Sequence, residues 1–84
     1  MNKNDFEIRA LVKQVTQKEL LDFYAAFKQV TGYSIESPLV TEKYLKENGN
    51  QISVAIQALL SAKLSKEGID KVISVFEDVT EFKK

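Results

Sequence analysis

Cysteine and histidine are both missing from this 84-residue chain, and each absence removes a class of function. Without cysteine there is no disulfide, no thiolate metal site and no thiol nucleophile. Without histidine the commonest general base and the usual nitrogen ligand for zinc are gone. A metal would need oxygen ligands only, and the acidic residues are scattered rather than spaced as an EF-hand loop. Tryptophan is also absent, proline occurs once, and glycine three times. Arginine occurs once, at Arg9, so the forked donors that read phosphates and base edges are scarce. Twelve basic residues balance twelve acidic ones, and no long-range field favours nucleic acid or an anionic membrane. Apolar runs fall far short of the ~20 residues that span a bilayer. Met1-Asn2-Lys3-Asn4-Asp5 lacks the apolar core of a signal peptide. The expectation is one cytoplasmic domain, because two cores in so short a chain would each be too small to offset chain entropy.

What is present is helix punctuation. Asn4 with Glu7 has the spacing of a capping box, and Ile8, Leu11, Val12 and Val15 follow at helical intervals. Thr16 with Glu19 makes a second box, with Val15 and Leu20 placed as its hydrophobic staple. The second box predicts a kink at Thr16, although the apolar spacing also fits one unbroken helix to about Val30. Leu20, Phe23, Tyr24 and Phe27 share a face, and Gly32 suits the left-handed residue that closes a helix. Ser37-Pro38 predicts a new start, with Ser as N-cap and Pro at the first helical position. That helix should run to Asn48, close at Gly49, and be followed by another over residues 51–63 capped by Asn50. Ser65 then caps a last helix carrying Ile69, Val72, Ile73, Phe76 and Val79. No segment alternates with period two for long enough to predict a strand. The fold expected is all-α, a compact bundle of four or five short helices.

Chemistry-bearing residues read mostly as structure. Carboxylates fall beside lysines at helical spacing, as in Glu42/Lys46, Lys43/Glu47 and Glu67/Lys71, the pattern of a solvated helix surface. Ser65 with Lys66 or Lys71 is formally a Ser–Lys arrangement, but Ser65 is already used as a cap. Glycines 32, 49 and 68 do not form a phosphate-cradling loop. No catalytic, cofactor-binding or metal-binding residue is expected. Most aromatics lie on apolar stripes and read as core. Tyr33, beside Gly32, is either an exposed anchor for a partner or a contact folded back onto the preceding helix. Leu59 and Leu60 are adjacent and so cannot share one helical direction. Either one is exposed for binding or a wide core buries both.

Gly32-Tyr33 and the run Asn50-Gln51-Ile52-Ser53-Val54-Ala55-Ile56-Gln57-Ala58-Leu59-Leu60 resemble the ubiquitin-associated (UBA) family. In that three-helix unit a Gly-aromatic loop follows helix one, and an Asn-x-Ile-x-x-Ala-Ile-x-x-Leu-Leu pattern fills helix three. The likeness spans about residues 17–63, with flanking helices at 4–15 and 66–81, and it extends to the N-terminal segment of bacterial elongation factor Ts. It implies that Gly32, Tyr33, Leu59 and Leu60 contact ubiquitin. The chain departs from the pattern by an insertion around Ile35-Glu36-Ser37-Pro38 and by the flanking helices. Ser37-Pro38-Leu39-Val40 and Lys63-Leu64-Ser65-Lys66-Glu67 are similar to bacteriocin immunity proteins, which are four-helix bundles. That second resemblance implies a membrane transporter or a bacterial enzyme as target.

Together these features predict a non-enzymatic module that binds another protein, with no nucleic acid and no membrane insertion. The expected contact surface is Gly32, Tyr33 and Ile35 of the loop together with Leu59 and Leu60 of the helix at 51–63. A structural subunit that self-associates through a leftover apolar stripe is the remaining alternative.

Overall fold

The computed structural model describes residues 2–80. It is all-α, with four helices and no strand among those residues: α1 (Lys3–Val12), α2 (Gln17–Thr31), α3 (Glu42–Leu60) and α4 (Lys66–Thr80). The expected end of the last helix at residue 81, and Phe82, lie outside the described residues.

Caps explain most of the boundaries. Asn2, not Asn4, opens α1: its side-chain oxygen accepts from the Asn4 N–H at 2.8 Å. At the start of α2 both halves of the Thr16–Glu19 box are formed, with Glu19 N–H to Thr16 Oγ1 at 3.2 Å and Thr16 N–H to Glu19 Oε1 at 2.8 Å. Between α1 and α2 the chain does more than kink. Gln14 takes a left-handed φ of 61°, the Val15 N–H reaches Ala10 O at 2.9 Å, and the Gln14 N–H reaches Leu11 O at 3.1 Å. This is a Schellman ending built on glutamine. Gly32 closes α2 in the left-handed region (φ 78°), its N–H bonded to Lys28 O. Ser65 Oγ accepts from the Gly68 N–H at 3.2 Å, as a cap of α4 should.

Two expected boundaries are corrected. Ser37-Pro38 does not start a helix; it lies in a turn, and Thr41 caps α3 by accepting from the Tyr44 N–H. Nor does a helix end at Gly49. Leu45, Gly49, Ile52, Ser53, Ile56 and Leu60 form one buried stripe along α3, so packing of the whole stripe outweighs the ~1 kcal/mol penalty of a mid-helix glycine. Asn50 is consequently an exposed interior residue rather than a cap.

The core joins all four helices. Phe6 of α1 stacks on Phe23 of α2 with centroids 4.7 Å apart, and Phe76 of α4 lies 5.9 Å from Phe23 and 6.2 Å from Phe27. Lys18 Nζ reaches Lys63 O at 3.4 Å, which places the start of α2 beside the end of α3, so these two run antiparallel. Polar ties fix the α1–α2 turn to α4. Lys13 Nζ donates to Ser74 Oγ at 2.8 Å and pairs with Asp78 at 3.2 Å, while Lys71 Nζ reaches Gln14 O at 3.1 Å and Glu19 at 3.4 Å.

Candidate functional site

Of the expected contact residues, the structure leaves only part on the surface. Gly32 and Tyr33 are exposed, Tyr33 by 42%. Its N–H bonds Thr31 Oγ1 at 3.2 Å, so the loop is held by a threonine rather than by a tyrosine folded back. Ile35 (4% exposed) and Leu60 (1%) belong to the core and cannot meet a partner while the domain is folded; this corrects the expected surface. Leu59 is half-buried and borders a small cleft of about 80 Å³ shared with Asp22, Ala25 and Gln29 of α2. Of the Leu59/Leu60 pair, Leu60 therefore takes the inward direction. Gly32 and Tyr33 do not line that cleft, and the expected patch is not one continuous surface.

A different apolar surface is present. Ile8, Leu11 and Val12, expected to face the core, are 62%, 77% and 78% exposed. The reason is visible on the helix. Phe6 and Ala10 are the buried residues of α1, and Ile8, two positions from each, points about 200° away from both. The helix is thus apolar on opposite sides, and only one side can pack against the bundle. The larger aromatic at Phe6 wins, because its ring completes the stack on Phe23.

Leu21 of α2 is also exposed, by 56%. Tyr24 Oη donates to Glu7 Oε1 at 3.2 Å, which sets the register between the two helices. Leu11 lies one turn beyond Glu7 and Leu21 one turn before Tyr24, both toward the short Lys13–Thr16 connection. Ile8, Leu11 and Val12, at i, i+3 and i+4, make an exposed aliphatic face on α1. It is bordered by both signs of charge, including the exposed Asp5–Arg9 pair at 3.3 Å.

No family model, curated protein or solved structure matches this chain. The likenesses to UBA and immunity proteins therefore rest on their sequence patterns, and the break that should separate the second and third UBA-like helices is occupied by continuous α3.

The polar clusters act as ties. At Lys13–Ser74 the lysine is a donor with Asp78 as its counter-ion, and an ammonium cannot take the hydroxyl proton as a general base would. Among the described residues, no group of three or more acidic side chains could hold a metal ion. Among the described residues, two ionisable groups are shifted. The Thr16 N–H holds the Glu19 carboxyl below its ordinary value, helped by Lys71 and opposed by burial. Burial, and then the Glu7 and Glu36 carboxylates, push the Tyr24 phenol well above its usual range. No helix among the described residues is long and apolar enough to cross a membrane.

Proposed function

We propose that this chain is a non-enzymatic protein–protein interaction module of the cytoplasm, and that its contact surface is the outer face of α1. One observation carries the reading: Ile8, Leu11 and Val12 stand at i, i+3 and i+4 on a single helix face, each more than half exposed. Isolated exposed aliphatics are ordinary on protein surfaces, whereas a contiguous patch points to a partner. The side of α1 opposite Phe6 and Ala10 is aliphatic at Ile8, Leu11 and Val12 and is left exposed. The partner would present an apolar surface of its own. With equal numbers of basic and acidic residues in the chain, association would gain little from electrostatic steering and would depend weakly on salt.

A second reading, an immunity or phage/host inhibitor-type protein directed at a transporter or a bacterial enzyme, is favoured by the helix count, which is four among the described residues. Both readings use a contact surface, and one experiment addresses them. The wild-type chain, a Leu11→Lys/Val12→Lys variant and a Val54→Lys control are immobilised and exposed to detergent-solubilised extract at low and high salt. A protein retained by wild type and control but lost by the α1 variant, at both salt concentrations, supports the proposal. Its nature, soluble adaptor target or membrane permease, separates the two readings. Equal retention by all three baits overturns the surface.

A further inference from the structure

We infer that α1 is an exchangeable element, able to leave its own bundle and dock in the same place on a second copy of the chain. Lys13–Thr16 is short, and Gln14 within it is the non-glycine residue found at positive φ, 61°, a conformation in which a side chain crowds the following carbonyl. Straightening the hinge removes that crowding. Apart from the Thr16–Glu19 box, the local sequence permits a straight path, since Lys3 to Thr31 contains neither glycine nor proline and its apolar spacing fits one continuous helix. The Schellman bonds from Val15 to Ala10 and from Gln14 to Leu11 would become ordinary i→i−4 bonds. The hinge is held closed by the local Thr16–Glu19 box and by the long-range bond from Lys71 to Gln14 O. Short hinges under strain, balanced between two local conformations, are where domain exchange begins.

Exchange costs few tertiary contacts. In the open form the straightened helix carries Phe6, Ala10 and Lys13 away from their own bundle and sets them on the partner copy. There the Phe6–Phe23 stack, the Glu7–Tyr24 bond and the Lys13 contacts with Ser74 and Asp78 are remade between chains. The outer face of Ile8, Leu11 and Val12 is not used, so the inference stands apart from the proposed function and can fail without it.

The test is refolding from denaturant at high and at low chain concentration, followed by size-exclusion chromatography with light scattering. The wild type should yield a dimer at high concentration that persists when diluted, because releasing an exchanged helix requires unfolding. Gln14→Gly removes the crowding from the closed turn and weakens the straight helix, so the dimer yield should fall several-fold. Thr16→Ala, which removes the closed-form cap, should raise it. Leu11→Lys/Val12→Lys should leave it unchanged. Monomer under all conditions would overturn the inference. So would a dimer that dissociates at once on dilution, or one insensitive to Gln14→Gly and abolished by Leu11→Lys/Val12→Lys.

Discussion

The Glu19 carboxylate rests against the bare α-carbon of Gly68, where an added methyl group would collide with Glu19 Oε2. This contact brings the start of α2 against the first turn of α4, while the other carboxylate oxygen accepts from Thr16 and pairs with Lys71. Gly68→Ala should therefore push the Glu19 carboxylate off its cap and destabilise the protein by at most about 1 kcal/mol, the scale of a lost cap, less whatever alanine gains as a helix former. In a Glu19→Ala background the same substitution should stabilise by ~0.5–1 kcal/mol, since alanine is the better helix former. Chemical denaturation of the four proteins in this cycle checks the reversal of sign.

The same carboxylate makes stability acid-sensitive. Its folded-state pKa lies below the ordinary 4.5 because of the Thr16 N–H, with Lys71 adding to the effect. The contribution is present above the unfolded value and is lost as pH falls through the folded one. Glu19→Gln keeps an acceptor for Thr16 but carries no charge. Its stability should fall less steeply below pH 4.5 than that of the wild type, by under about 1 kcal/mol for so local an interaction, as thermal melts across acid pH would measure.

Tyr24 gives the alkaline counterpart. Its folded-state pKa is raised by burial and by Glu7 and Glu36, so its contribution is present below its ordinary 10.0 and is lost as pH rises through the folded value. Tyr24→Phe should lose less stability than wild type as the pH is raised above 10.0. Parallel melts of the two proteins compare the slopes.

Core and surface should separate cleanly by mutation. Leu60→Ala and Ile56→Ala truncate buried side chains and should each cost ~2–5 kcal/mol. Leu11→Lys and Val12→Lys should stay within about 0.5 kcal/mol of wild type. Urea denaturation midpoints of the four variants decide the matter.

These contrasts also indicate what the sequence can convey. Capping is local chemistry, and the Thr16–Glu19 box, Gly32 and Ser65 are legible because each needs only its neighbours within a turn. Gly49 misleads because its reading depends on tertiary packing: the stripe from Leu45 to Leu60 crosses it, and the helix continues. Ser37-Pro38 has the composition of a helix start, but Thr41, followed by Glu42 in the first turn, supplies the cap that is used. The face of α1 is the least legible feature. Periodicity finds two apolar sides, Phe6/Ala10 and Ile8/Leu11/Val12, and cannot say which one the bundle covers. The signal available was the excess itself, a short helix with more apolar faces than one bundle can bury. Leu59 and Leu60 pose the same ambiguity on α3, and there too the structure selects one direction.

Site-specific photocrosslinking in the expressing cell tests the proposed surface most directly. A photoreactive residue is placed at position 8 or 11, and in controls at position 54 on α3 or 33 in the loop. Discrete adducts from 8 and 11, absent from 54 and 33, are the result predicted, and their masses separate a foreign partner from a second copy of this chain. Adducts from 33 or 54 with none from 8 or 11 would contradict the assignment of the α1 face as the contact surface.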